Sequence, residues 1–307
     1  VTSDDVLRWT ELPASIIVVG AGAVGAEFAS ALHDLGVAVS LLEYLPAIVP
    51  LEDADVSKEL QRSFERRGIR VITNARFEPA SVAVRDDGVS LVVGPEGGER
   101  SELVAEVLLV ATGRAPNTEG IGLETTRVKT ERGVIVVDDH MRTAEPHVWA
   151  IGDIVGGLWL AHTAGHEGLI AAHTIAGEEV HGMDYVAQPR ATYCRPEIAS
   201  VGLTEEQCKE RGLDYRVGRM PFMAVAKALI GGEYEGFVKV IGDAKSGDTL
   251  GIHIVGPHAT DLIAEASLGL SLEATPWEIG AATHPHPTLS EIVGEAALVS
   301  LGRSVNF

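Results

Sequence analysis

The patterned part of the chain opens with a β-branched run, Ile16 to Val19, and a second apolar run follows from Val37 to Leu42. Short unbroken apolar runs bounded by glycine predict strands covered on both faces. Between them Val24, Phe28, Ala31, Leu32 and Leu35 recur at helical spacing, which predicts a helix with one face laid on a sheet. Pro46 and Pro50 mark a loop, Asp53 to Arg67 reads as a helix with an acidic start and a basic end, and Ile69 to Ile72 as a short strand. From Phe77 to Val93 the pattern alternates in segments broken by Asp86, Asp87 and Gly88, as in antiparallel hairpins. Glu106 to Ala111 predicts a buried strand, Gly133 to Val137 and His147 to Ile151 two more, and Leu160 opens a helix to about Ala176.

The pattern changes around Gly182 to Gln188, where a domain boundary is expected. Beyond it come a strand over 190–201, a helix over 204–212 and a strand from Tyr215 to Pro221. A hairpin from Phe237 to Val255 turns at Ser246, Gly247 and Asp248, and helices follow over 258–270 and 288–301. The first part reads as a doubly wound βαβ unit interrupted by a β meander, the last as an α+β layer with antiparallel strands.

Chemistry enters between the first two strands. Gly20, Gly22 and Gly25 stand at the spacing G-x-G-x-x-G, with Ala23 and Val24 between them. Gly20 permits the tight turn, Gly22 lets a pyrophosphate approach the backbone, and Gly25 lets the helix lie close on the sheet. The phosphates would meet the free N–H groups at the helix start. In a chain with 34 glycines the spacing alone is weak, but here strands, helix and acid are all in register. Glu43 ends the second strand roughly 20 residues on, where such folds place the carboxylate that accepts the ribose hydroxyls. No Lys or Arg lies between Glu43 and Lys58 to neutralise a 2′-phosphate, so the expected cofactor is NAD and not NADP.

Composition narrows the partners. The chain has 307 residues, 46% of them hydrophobic, and a net charge of −20. Its overall field opposes nucleic acid and anionic membrane, so neither is expected. Cys194 and Cys208 are the only cysteines, in no metal or CxxC spacing, which suits a reducing compartment and buried thiols. No apolar run reaches the roughly 18 residues of a membrane span. The chain starts at Val1 and soon enters a linker, Trp9 to Ser15, which reads as the middle of a longer protein.

Residues 284–291 read His-Pro-His-Pro-Thr-Leu-Ser-Glu. Two readings of Glu291 stand side by side. With Thr288 it forms a T-x-x-E capping box that does no more than start the last helix. Alternatively it orients His286, selecting the tautomer and steadying the charged ring, as an acid/base catalyst near neutral pH requires. A metal site with His284 lacks a third ligand at a usual spacing.

Several motifs in one order resemble a known family: Gly20 to Gly25 with Glu27, Thr-Gly-Arg-x-Pro-Asn at 112–117, Gly152-Asp153, Leu160-Ala161-His162, and His286-Pro287-Thr288 with Glu291. Nearly the whole chain is similar to the C-terminal two thirds of the dihydrolipoamide dehydrogenases, within the pyridine nucleotide-disulfide reductase flavoproteins. The resemblance implies an α/β fold of three parts: a Rossmann-like NAD-binding domain with a β meander over 1–116, a residual FAD-contacting central segment over 117–185, and an α+β interface domain that dimerises over 186–307. It implies that Glu43 holds the NAD ribose, that Glu27 lies beside the nicotinamide, and that Gly113 belongs to the nucleotide site. Asp153 would bond the ribitol of FAD, and the helix start at Leu160, Ala161 and His162 would face the flavin. His286 would take the proton of a dihydrolipoyl thiol while Glu291 holds it in place. The implied partners are a second copy of the chain and a lipoyl-bearing protein of a 2-oxoacid dehydrogenase or glycine cleavage system, in a cytoplasm or a mitochondrial matrix.

The departures matter too. Nothing here matches the family's own FAD glycine fingerprint or its Cys-x-x-x-x-Cys pair, and Cys194 and Cys208 cannot stand in for that pair. The expectation is a fragment that by itself binds NAD and dimerises. A glutathione- or mycothiol-type reductase shares the histidine motif, and a non-catalytic NAD-binding module is the rival of a different class.

Overall fold

The computed structural model describes residues 1–86, 88–95 and 97–305; Asp87 of the expected acidic turn lies outside them. The chain divides into two compact units, Val1–Gly113 with Ala191–Phe307, and Arg114–Arg190. The first and last stretches fall within one of these units.

The first stretch carries α1 (Ser3–Val6), β1 (Ser15–Val19), α2 (Ala23–Asp34), β2 (Ala38–Leu42), α3 (Ala54–Arg67) and β3 (Arg70–Ile72). The meander follows as β4 (Arg76–Phe77), β5 (Ala83–Arg85), β6 (Gly88–Gly94) and β7 (Ser101–Ala105), and β8 (Val107–Val110) closes the stretch. Strands β3, β2, β1 and β8 lie in that order, all parallel, and β6 pairs antiparallel with β4, β5 and β7. Alternation along β1 explains its unbroken apolar run. Ile16 and Val18 join the core of α2 and α3 with Leu60 and Phe64, while Ile17 and Val19 join Leu91, Val93 and Leu103 of the meander.

Two expectations change here. Of the stripe predicted on α2 only Leu32 is buried; Leu35 is 63% exposed, and the covered face is Gly25, Ala26, Ala29, Ser30 and Leu32. The reason is proximity, since a Cβ on Gly25 would stand 1.8 Å from the Gly20 carbonyl oxygen, and a helix seated that close admits only small residues beside it. The strand expected to be buried at 106–111 is the edge strand β8, in which only Leu109 is buried.

The unit Arg114–Arg190 holds a short ribbon, β9 (Thr130–Glu131) with β10 (Val134–Ile135), and the helix α4 (Ala161–Ala176). Met141, Ile170, Ala171 and Met183 form its small core. The strand expected over Gly133–Val137 is cut to two residues, and that over His147–Ile151 to a single bridge between Trp149 and Arg142. Among the described residues of this unit the ribbon has no third strand, so the extended segments find no ladder to join.

The last stretch begins with β11 (Arg190–Thr192) and β12 (Glu197–Gly202), then α5 (Glu205–Glu210), β13 (Tyr215–Pro221), α6 (Ala226–Gly231), β14 (Phe237–Asp243), β15 (Thr249–Gly256), α7 (Ala259–Ser271), α8 (Pro276–Ala281) and α9 (Glu291–Ser300). The sheet runs β11-β12-β15-β14-β13, and residues of α7 and α9 pack with it in one core. The strand expected over 190–201 is broken by the turn at Cys194, Arg195 and Pro196, and α6 and α8 were not expected. Among the described residues no helix is long and apolar enough to cross a membrane.

Lys239, buried within β14, joins the two stretches of the larger unit. Its Nζ donates to Asp53 Oδ1 at 2.7 Å, Asp55 Oδ2 at 2.8 Å and Glu205 Oε2 at 2.6 Å. Burial opposes charge on both sides, but the hydrogen bonds outweigh it, raising Lys239 above its ordinary value and lowering Asp53 below its own. Removing one partner of such a group costs about 3–5 kcal/mol, because the remainder stays buried and uncompensated.

Candidate functional site

The glycine turn has the shape its spacing predicted. Gly20 sits at φ +97°, where an added Cβ would stand 2.6 Å from the Ala111 carbonyl oxygen, so any other residue meets both strain and backbone. Gly22 is the N-cap of α2 with no side-chain cap, and a Cβ there meets nothing within 4 Å. The helix start, with Ala23 and Val24 in its first turn, is thus left without a capping side chain.

Glu43 is bound to that turn. It is 7% exposed; Oε2 accepts the Ala21 N–H at 2.7 Å and Oε1 the Leu45 N–H at 2.8 Å. Each carboxylate oxygen keeps a further lone pair for a hydroxyl. The Val49 N–H donates to the Ala21 carbonyl at 2.7 Å, tying the loop after β2 to the same turn. Glu27, half-buried on α2, accepts the Tyr193 N–H at 2.9 Å. Gly113 adopts φ +141°.

Arg76 changes one step of the sequence argument. Its guanidinium lies 3.4 Å from the centroid of the Tyr44 ring and donates to the Tyr44 carbonyl at 2.6 Å. A basic group therefore stands beside the end of β2 although no Lys or Arg lies between Glu43 and Lys58 in sequence. The chain that leaves β3, the parallel neighbour of β2, and enters β4 brings it there: the Ala75 N–H donates to the Glu43 carbonyl at 2.8 Å. The expectation of NAD drawn from an absence of cations after Glu43 therefore loses that support, and the Glu43 carboxylate is the feature of the turn that is left to carry it.

In the loop ahead of α9 Glu291 bonds both the Thr288 backbone and the His286 ring, but the expected capping box does not form, since the N-cap is Ser290 with no side-chain cap. Oε2 accepts the Thr288 N–H at 2.8 Å, and Oε1 accepts from His286 Nδ1 at 2.8 Å. The helix starts at Glu291, later than the 288 expected, and the Thr288 hydroxyl turns back to the Pro285 carbonyl at 2.7 Å. Burial pushes the Glu291 carboxyl up, but the bonds from Thr288 and His286 prevail and hold it below the ordinary range. Since a carboxylate only accepts, His286 carries its proton on Nδ1, and Nε2 is its free basic nitrogen. The His286 side chain is 72% exposed. His284 does not join it as a ligand pair; its Nε2 donates to Glu265 at 2.7 Å.

A matching family model decides the kinship. It is described as pyridine nucleotide-disulphide oxidoreductase and covers residues 1–168, while that family's dimerisation domain covers 188–297. The chain belongs to the pyridine nucleotide-disulphide oxidoreductase family. It is 48% identical over its whole length to the dihydrolipoyl dehydrogenase of Bacillus subtilis, and 44% to that of Mycobacterium tuberculosis. It spans 64% and 66% of those two proteins. Among solved structures it is similar to LpdA from Mycobacterium tuberculosis, with TM-score 0.88 and 32% identity over 97% of this chain and 64% of that one. The HOCl-induced flavoprotein disulfide reductase RclA from Escherichia coli superposes with TM-score 0.86 and 27% identity over 97% of this chain and 68% of that one.

The unit Arg114–Arg190 holds the remaining residues that family resemblance singled out. Asp153 lies in a short 3-10 turn, its carboxylate half exposed and 3.8 Å from Arg114 Nη1. The turn is fixed from behind by a group the sequence did not flag: buried Glu167 accepts the Gly152 N–H at 2.6 Å and the Tyr185 hydroxyl at 2.8 Å. Burial, with Glu167 beside it, raises the Tyr185 hydroxyl well above its ordinary value. Leu160 is the N-cap of α4 with no side-chain cap, Ala161 and His162 are exposed, and His162 Nε2 donates to the Pro189 carbonyl at 2.7 Å. Both cysteines are buried as free thiols, and burial pushes each up, away from the reactive thiolate.

Proposed function

We propose that this chain is the NAD-binding and dimerising part of a dihydrolipoyl dehydrogenase, an enzyme that oxidises dihydrolipoyl groups to the lipoyl disulfide and delivers the electrons to NAD through a redox disulfide and FAD. Residues 1–116 take NAD, 117–185 contact FAD, and 186–307 pair with a second copy. The substrate is carried by a lipoyl-bearing protein of a 2-oxoacid dehydrogenase or glycine cleavage system in a cytoplasm. The chain by itself binds NAD and dimerises.

The observation that carries this reading is the two-sided hold on Glu291. One oxygen is fixed by the backbone of its own loop and the other by His286, so the orientation of the imidazole is set by the fold before substrate arrives. His286 Nε2 takes the proton of the dihydrolipoyl thiol, and the imidazolium formed is held against a carboxylate that stays ionised. At the other site Glu43 accepts the adenosine ribose hydroxyls, the uncapped start of α2 meets the pyrophosphate at Gly22, Ala23 and Val24, and Glu27 faces the nicotinamide. The fit for FAD rests on the half-exposed Asp153 carboxylate, suited to ribitol hydroxyls, and on the uncapped start of α4 at Leu160, Ala161 and His162. FAD, when bound, supplies the two-electron relay between thiols and NAD.

The test is His286→Gln in the flavin-loaded full-length enzyme. Dihydrolipoamide oxidation is expected to fall by roughly 10²–10⁴-fold while NADH still reduces the flavin. Unchanged thiol oxidation removes the base from this account. The likeness to RclA favours one second reading, a disulfide reductase for another substrate. Turnover of glutathione or mycothiol disulfide in place of dihydrolipoamide would establish it.

A further inference from the structure

His284 takes no part in the chemistry above, yet it is held more firmly than His286. Its Nε2 donates to Glu265 Oε1 of α7 at 2.7 Å, and its side chain is 12% exposed against 72% for His286. On the other side its ring lies against α9 where Gly294 has no side chain; a Cβ there would come within 2.9 Å of Cε1 and 3.1 Å of Nδ1. One residue, Pro285, separates the two histidines. Its φ is fixed by its ring, and its carbonyl accepts the Thr288 hydroxyl at 2.7 Å. The loop is thus pinned at both ends, to α7 through His284 and to α9 through Glu291, with His286 between the pins.

We propose that His284, clamped between Glu265 of α7 and the bare backbone of Gly294 on α9, is a positioning residue that sets where His286 presents Nε2. This rests on the reading of His286 as the base. The reason is leverage: Glu291 fixes which way the imidazole turns, but the place of the loop on the domain depends on its other end. Misplacing a catalytic group by about 1 Å can cost roughly 10²-fold. The electrostatics agree. The Glu265 hydrogen bond raises His284 above its ordinary value, burial opposes, and the charge of Glu265, the Ala282 backbone and the charge of Glu291 add to the rise, so the clamp favours the charged ring.

The experiment compares Glu265→Gln, His284→Ala and Gly294→Ala in the flavin-loaded full-length enzyme. Each is assayed for dihydrolipoamide oxidation and for NADH-driven reduction of ferricyanide, which asks nothing of the base. In parallel, the His286 ring nitrogens are followed by NMR in the chain itself. Glu265→Gln keeps the shape of the side chain and is expected to lower kcat for the thiol about 10-fold, with His284→Ala lower still. Ferricyanide reduction and the KM for NAD stay unchanged, and the His286 resonances move in all three variants. Gly294→Ala, which leaves both partners but pushes the ring, falls between wild type and His284→Ala. Wild-type thiol turnover in all three, beside a dead His286→Gln, overturns the positioning role and leaves the base reading standing. An active His286→Gln removes the base reading first. A parallel fall in both activities makes His284 merely structural and also overturns the proposal.

Discussion

Glu43 and Glu291 are the same chemical group in two different uses. Each accepts two hydrogen bonds, and each sits where an element of the larger unit begins or ends. Both partners of Glu43 are backbone N–H groups, so it fastens the glycine turn to the end of β2 and offers its remaining lone pairs outward. Glu291 spends one oxygen on backbone and the other on a side chain, so it passes the rigidity of the loop on to an imidazole. On the reading proposed above, a carboxylate held only by backbone is left to bind a ligand, and one held half by backbone orients an imidazole.

The largest break in that contrast is Glu291→Gln. An amide has one acceptor, which the Thr288 N–H claims, leaving an NH₂ to face His286 Nδ1. The imidazole must then put its proton on Nε2, and the base is lost with the geometry intact. Thiol oxidation is expected to fall roughly 10³-fold, about 4 kcal/mol, with NAD affinity unchanged. Retained activity in a steady-state assay would make Glu291 only a cap.

Gly25→Ala strikes the other region. The new Cβ would lie 1.8 Å from the Gly20 carbonyl oxygen, a backbone atom that cannot step aside alone, so α2 must lift from the turn. A loss of about 3 kcal/mol is expected in denaturant titration, with NAD binding lost by calorimetry. Glu43→Gln is milder. One of the Ala21 or Leu45 N–H groups loses its acceptor, which costs about 1–3 kcal/mol of stability, and NAD affinity drops roughly tenfold. Thiol chemistry in the full-length enzyme stays at wild-type level once NAD is saturating, the reverse of Glu291→Gln. If Glu43→Gln binds NAD and NADP alike and as tightly as wild type, the ribose reading is wrong.

What the sequence shows of these regions follows from how local their causes are. The glycine turn is legible because strand, turn and helix are consecutive, and the spacing Gly20, Gly22, Gly25 is itself the geometry. The stripe on α2 is misread because periodicity does not see that Gly25 seats the helix too close for Phe28 to be the buried residue. Arg76 is invisible for the same reason that parallel strands are: its neighbour Tyr44 lies across a helical crossover. In the last stretch the pair His286 and Glu291 is visible as spacing, but the partners that the carboxylate takes are not, since one carboxylate bonds both the Thr288 backbone and the His286 ring. Glu265, the partner of His284, sits on a separate helix and leaves no mark near the motif.

The smallest effect is a pH dependence confined to the second region. His284 is raised in the folded protein, so its pair with Glu265 contributes full stability below the ordinary histidine value, about 6.5, and loses it as pH rises through the higher folded value. Glu291 is lowered, so its contribution is present above the ordinary carboxylate range and is lost as pH falls through the lower folded value. The loop is therefore steadiest between the two, and the partners fail at opposite ends. The difference in Tm between wild type and His284→Ala should shrink by roughly 2 °C as pH rises across the neutral and mildly alkaline range. Glu291→Gln should instead converge on wild type as pH falls below the carboxylate range. A His284→Ala difference that grows with pH would mean that the imidazole is buried neutral and that the clamp is a neutral hydrogen bond.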